Sequence, residues 1–217
     1  MKLKLEYPYD GLIWEVSLTK DLGYAYVQTI DPRPIGTSFP SYLLKILDYR
    51  SEISIQKFDV DFFENCDMLT SHLLFRGRPP RRNNEMLWKP LCYLPITSFD
   101  RQLPESKLPE SYFIEPETVK WSVFWGGSLA DYYEETAAYD QVKHLGHLTH
   151  FNVAFIHHRI TMEWMRKLGL DYNQYYTKDW DDEFLLGQKY QVKSTVLFSG
   201  GDPVIRGKAF GNYHKRF

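Results

Sequence analysis

The sequence predicts an α+β fold: a mainly antiparallel, twisted sheet with a helix of the C-terminal half packed against it. Three observations carry this. Residues 12–31 contain two runs of alternating side chains joined by a polar turn with a glycine, the pattern of a β-hairpin. Residues 149–168 carry apolar side chains at helical spacing. No internal repeat or low-complexity tract points to a solenoid or an extended fibrous chain.

Taken in order, Leu12, Trp14, Val16 and Leu18 share one parity, and Ile13, Glu15 and Ser17 the other. Thr19 to Gly23 supplies the turn, and Tyr24, Tyr26 and Gln28 alternate with Ala25, Val27 and Thr29 on the return. Asp31-Pro32-Arg33-Pro34 ends that strand, because proline brings no N–H to a ladder. Residues 41–49 fit a strand or a short helix. Glu52 to Phe58 alternates and is expected as a strand; Asp59 to Asn65 fits one helical turn; His72 to Phe75 fits a short strand. Gly77 to Asn84 is an irregular basic loop around Pro79-Pro80. Leu87 to Leu94 is a strand that Pro90 places at a sheet edge. Residues 98–118, with Pro104, Pro109 and Pro116, are expected as an extended linker. Val119 to Trp125 follows as a strand ended by Gly126-Gly127.

The best-defined helix spans 149–168. Thr149 would cap it, Leu148 would staple onto Val153, and Gly169 would take the left-handed position after its end. At about 100° per residue, Phe151, Ala154, Phe155, Met162 and Met165 form one stripe. Val153, Ile156, Ile160 and Trp164 form a second, with Asn152, Arg159, Glu163 and Arg166 as the polar arc between. Two apolar faces imply a helix sandwiched between layers. Lys189 to Phe198 and Val204 to Phe210 read as a C-terminal hairpin about Gly200-Gly201. The expected division is a β-rich region over 1–115 and an α+β extension over 116–217, joined in one compact unit.

Composition narrows the function. The 217 residues carry 26 Lys and Arg against 28 Asp and Glu, so no global basic field exists to hold a nucleic-acid backbone. Two cysteines, Cys66 and Cys92, are too few for a disulfide framework or an unaided zinc site. The N-terminus lacks the pattern of a signal peptide, and no run reaches the roughly 20 apolar residues that a membrane span needs. Cytoplasmic residence is therefore expected, without membrane attachment. Aromatic residues make up 17 % of the chain, enough to furnish both a core and a contact surface.

The first half suggests a family. A short strand over Trp14 to Leu18 leads through a polar turn into the aromatic strand Tyr24-Ala25-Tyr26-Val27-Gln28. A strand running into an acidic-aromatic segment follows, Phe58-Asp59-Val60-Asp61-Phe62-Phe63, then the short segment Leu73-Leu74-Phe75 and a Trp-containing strand, Trp88-Lys89-Pro90-Leu91. Over residues 10–115 this order resembles the immunity protein 26 family, small cytoplasmic antidotes of bacterial polymorphic toxin systems. The resemblance implies neutralisation of a cognate protein toxin by stoichiometric binding, and it carries no catalytic residues.

Other chemistry has to be weighed against that. His144, His147, His150, His157 and His158 fall within fifteen positions and could serve a metal-assisted hydrolase, yet no His-Glu-x-x-His motif is present. Carboxylates cluster at Asp59/Asp61/Glu64, Asp131/Glu134/Glu135 and Asp179/Asp181/Asp182/Glu183. Such groups could hold a metal or act as acid and base, but here they interleave with Phe62, Phe63, Tyr132, Tyr133 and Trp180, which favours a contact surface. A structural or assembly subunit would use the same surface. The sequence therefore predicts no catalytic residue and no cofactor. It predicts a toxin-binding face formed by Asp59, Asp61, Phe62, Asp179, Trp180, Asp181 and Asp182, suited to a partner with a basic surface.

Overall fold

A computed structural model of the chain describes residues 5–18, 21–37, 41–77, 79, 81–82, 85–86, 88–111, 117–142, 145, 150–151 and 153–171. The fold is α+β and mainly antiparallel, as the alternation of the first hundred residues implies.

Strands β1 (Leu12–Ser17) and β2 (Tyr24–Ile30) form the expected hairpin, with Ser17 opposite Tyr24 and Ile13 opposite Gln28. The ambiguous stretch that follows is a strand, β3 (Ser41–Ser51), paired antiparallel with β2. Tyr42, Leu44 and Ile46 pack on one face of the sheet and Leu43 and Leu47 on the other, an alternation that only a strand allows. The expected strand over 52–58 does not form. The chain leaves the sheet after Ser51, Ile53 is 76 % exposed, and the segment folds back over the sheet instead. Its backbone finds a side-chain partner there: the Ile55 amide donates to the Glu15 carboxylate at 2.9 Å, and Ser54 Oγ donates to the same carboxylate at 2.6 Å. Alternation alone cannot reveal a hydrogen bond to a residue forty positions away.

Helix α1 (Val60–Glu64) is the expected single turn, capped by the Asp59 carboxylate, which accepts from the Phe62 amide at 3.1 Å. Strand β4 (Leu73–Arg76) pairs with β3. Within the basic loop after it, β5 (Arg81–Arg82) pairs antiparallel with β6 (Glu85–Met86). Strand β7 (Lys89–Tyr93) pairs with β1 at the sheet edge, the place its proline allows.

The stretch 98–118 is more than a linker. It holds a 3-10 turn at Phe99–Arg101 and a strand, β8 (Ser106–Pro109), whose four residues are all buried. Strand β9 (Trp121–Ser128) runs through Gly126 and Gly127 rather than stopping at them; both have positive φ. It pairs with β10 (Asp131–Ala137), so the carboxylates Asp131, Glu134 and Glu135 lie on a strand. Strands β8, β9 and β10 form a second sheet, against which the short α2 (Tyr139–Val142) packs.

The long helix, α3 (Val153–Lys167), begins later than the periodicity suggests, because His150 and Phe151 form β11, a parallel addition to β4. The main sheet therefore reads β11-β4-β3-β2-β1-β7. Gly169 has φ +67, its amide donates to the Arg166 carbonyl and that of Leu170 to the Met165 carbonyl, the paired bonds of a Schellman end. The expected cap at Thr149, its staple at Leu148, and the hairpin over 189–210 lie outside the described residues. Within the polar arc of α3, Arg159 and Glu163 are buried and form an ion pair of 2.6 Å on the helix.

Each face of the main sheet has its own cover. One face carries Leu12, Trp14, Val16, Val27, Tyr42, Leu44, Ile46, Leu73 and Phe75, packed with Ile156, Ile160 and Trp164 of α3. The other face carries two apolar clusters. At one end Ile30, Leu43 and Leu74 meet Leu108 and Phe124 of the second sheet. At the other end Ile13, Tyr26 and Leu47 meet Phe63 of α1. Between these clusters lies a polar belt. Gln28 Nε2 donates to the Leu94 and Pro95 carbonyls, while Lys45 Nζ and His72 Nε2 lie 3.1 and 3.3 Å from Asp100 Oδ1. Residues 94–101 are thereby strapped across the sheet.

A candidate protein-docking surface around α1

Seven residues were expected to form the binding face. Asp59, Asp61 and Phe62 fall together on α1 and are all exposed. Asp179, Trp180, Asp181 and Asp182 lie outside the described residues.

The surface is built from a ring cluster upward. Phe63 is its buried hub: it stacks on Phe58 at 4.3 Å and meets Tyr26 edge-on at 5.1 Å. On a single helical turn two adjacent rings cannot both point at the sheet, and Phe62 is the one left outside, 46 % exposed. It is not loose. Its ring stands edge-on to Tyr49 at 4.9 Å and to Phe63 at 5.2 Å. A ring fixed before binding loses little rotamer freedom when a partner covers it. Val60 adds a second exposed apolar side chain on the same turn.

Charge surrounds these rings. Residues 59–67 hold Asp59, Asp61, Glu64 and Asp67, all exposed, and no cation. Lys57 precedes the stretch, and Lys167 of α3 is engaged with Asp48 beside it. The Asp59 carboxylate caps α1 and is held in place by that bond, while Asp61, Glu64 and Asp67 add their charges to the outward negative field.

What fixes the surface is Glu15, which the sequence reading treats only as an alternating strand residue. It is 3 % exposed and accepts from Ser54 Oγ, the Ile55 amide and, at 3.2 Å, the Tyr26 hydroxyl. Lys89 Nζ lies 3.4 Å from it and donates to Ser54 Oγ and the Ile55 carbonyl. Burial, with the nearby Glu15 charge, pushes the Tyr26 hydroxyl far above the ordinary phenol range, so Tyr26 stays a neutral donor. The only sequence signal for this role is an acidic residue inside an apolar strand run. Val60 and Tyr49 carry no signal of their own, since their exposure and contacts depend on where α1 docks.

The two cysteines are unpaired thiols under this surface. Burial, helped by Glu64, pushes Cys92 up to about 12; burial and then Asp48 raise Cys66. Both are poor nucleophiles in that state. Of the five clustered histidines only the His157 side chain falls among the described ones, and its Nε2 faces the Ser17 carbonyl. Among the described residues no group of three His, Cys, Asp or Glu is arranged to hold a metal. None of the described helices is long and apolar enough to cross a membrane.

No family model, no curated protein and no solved structure matches this chain.

Proposed function

We propose that this chain is a binding protein which docks a basic protein partner on the α1 surface, and that the partner is a toxin it blocks stoichiometrically in the cytoplasm. One observation carries the reading: the half-exposed Phe62, held edge-on by Tyr49, stands among Asp61, Glu64 and Asp67 with no cation between 59 and 67. Carboxylates draw a basic partner in at long range, and a desolvated ring holds it locally. A toxin that cleaves nucleic acid would carry the complementary basic cleft. The order of the β1–β2 hairpin, the acidic-aromatic segment over 58–63, β4 and β7 supports an antidote role in the same terms.

The test is co-expression with the proteins encoded on either side of its gene, where an antidote is expected to have its toxin. The chain should rescue growth and co-purify with one of them at one to one. Phe62→Ala should weaken the complex by roughly 30-fold, about 2 kcal/mol, through faster dissociation, in a protein that still melts cooperatively with a modestly lower melting temperature from the lost Tyr49 and Phe63 contacts. Asp61→Asn with Glu64→Gln should slow association and flatten its salt dependence. Full affinity in a well-folded Phe62→Ala protein would remove the α1 surface from the reading.

A further inference from the structure

Strand β10 is the outer strand of the second sheet, and among the described residues no strand pairs with its far side. Such an edge presents a row of backbone N–H and C=O groups, a template for one more strand. Its side chains say what that strand should be. Asp131, Glu134 and Glu135 supply three carboxylates and no cation over seven residues. On one face of the sheet Tyr133 is 67 % exposed and stacks on Trp125 of β9 at 5.8 Å, forming a flat apolar step. In register, Tyr133 lies opposite Trp125 and Glu135 opposite Val123, so Tyr133 and Glu135 share a face, and a register shift separates them from Asp131, which lies opposite Ser128. A second copy of the chain is a poor occupant: antiparallel self-pairing about the middle of β10 would set Glu134 against Glu134, and like charges directly opposite are destabilising.

We infer that the β10 edge accepts an extended lysine- or arginine-rich segment of a protein partner as a fourth strand. The backbone ladder would give the affinity. A Lys or Arg side chain on the Tyr133 face would meet Glu135, its stem lying across Tyr133 and Trp125, while Asp131 and Glu134 add to the negative field of the edge. The inference rests on the reading of the chain as a binder of a basic protein, and adds a second contact made by backbone pairing, distinct from the α1 surface.

The experiment uses the full chain and a fluorescent nonapeptide that alternates lysine with valine or threonine, followed by anisotropy. The control is the same peptide with alternate backbone amides N-methylated on its pairing edge. The parent peptide should bind at least tenfold more tightly than the methylated one. Glu135→Lys should weaken it at least fivefold, and Phe62→Ala should leave it unchanged. Equal binding of the two peptides would mean charge attraction without pairing, and no binding of either would close the edge to this partner; both overturn the inference. A wild-type dimer that dissociates in a folded Thr136→Pro variant would assign the edge to a second copy and overturn it as well. Loss of the protein complex in Phe62→Ala is read separately, so each surface fails or stands by itself.

Discussion

Asp100 shows how one residue holds a long loop on the sheet. It is 1 % exposed, and burial alone would raise its pKa. Hydrogen bonds from His72, from the Thr97 hydroxyl and amide, and from Lys45 outweigh that and hold the carboxyl well below the ordinary range. A carboxylate depressed in the folded state stabilises the fold above its unfolded pKa, about 3.9, and loses that contribution as pH falls toward the folded value. Asp100→Asn should therefore lower stability at pH 7 by about 2 kcal/mol or more, since Lys45 is left facing a neutral amide in a largely buried place. In thermal melts against pH, the gap between wild type and Asp100→Asn should be full at neutral pH and narrow below about pH 4. A gap that stays constant down to pH 2 would mean that the hydrogen bonds, not the charge, carry the effect.

At the scale of elements, two glycines separate backbone geometry from crowding. Gly23 has φ +79 at the β1–β2 turn, and a side chain there would meet the Ser51 carbonyl oxygen at 2.1 Å. Gly169 has φ +67 after α3 with nothing within 4 Å. Gly169→Ala should thus cost only the strain of the left-handed backbone, about 1 kcal/mol. Gly23→Ala must also move β3 and should cost several times more; denaturant midpoints would rank the two. Both glycines were legible in the sequence, and so was the hairpin, because its alternation and its turn agree. The 52–58 segment was not, because Ile53 and Ile55 alternate like a strand while Ile55 is anchored by its amide to Glu15. The start of α3 was misplaced because β4 recruits His150 and Phe151 into the sheet, a tertiary choice that local periodicity does not contain. At the docking surface, composition showed Asp59, Asp61 and Phe62. Which of the adjacent rings faces solvent was set by the docking of α1 on Tyr26 and Tyr49.

The whole molecule is layered unevenly, and its stability should follow. One face of the main sheet is closed by α3 over a broad apolar cluster, whereas the α1 end of the other face is covered by one helical turn and an irregular segment. Regions with few regular backbone bonds open at lower free energy than core strands. Residues 52–67 should therefore open as a unit while β1, β2 and β3 stay closed. Glu15 is the pin of that unit, since it alone receives both the Ser54 hydroxyl and the Ile55 amide. Native-state hydrogen exchange read residue by residue should find Val27 and Ile46 among the slowest amides and Ile55 distinctly faster. Glu15→Gln keeps the shape but weakens the charged acceptor, so it should speed Ile55 exchange by roughly tenfold, about 1.4 kcal/mol, while Val27 changes far less. If Ile55 and Val27 accelerate equally, Glu15 supports the fold as a whole and the α1 surface has no separate opening. If only Ile55 responds, Phe62 and its carboxylates ride on a locally mobile platform over a rigid sheet, and tightening that platform becomes a way to raise affinity without a new contact.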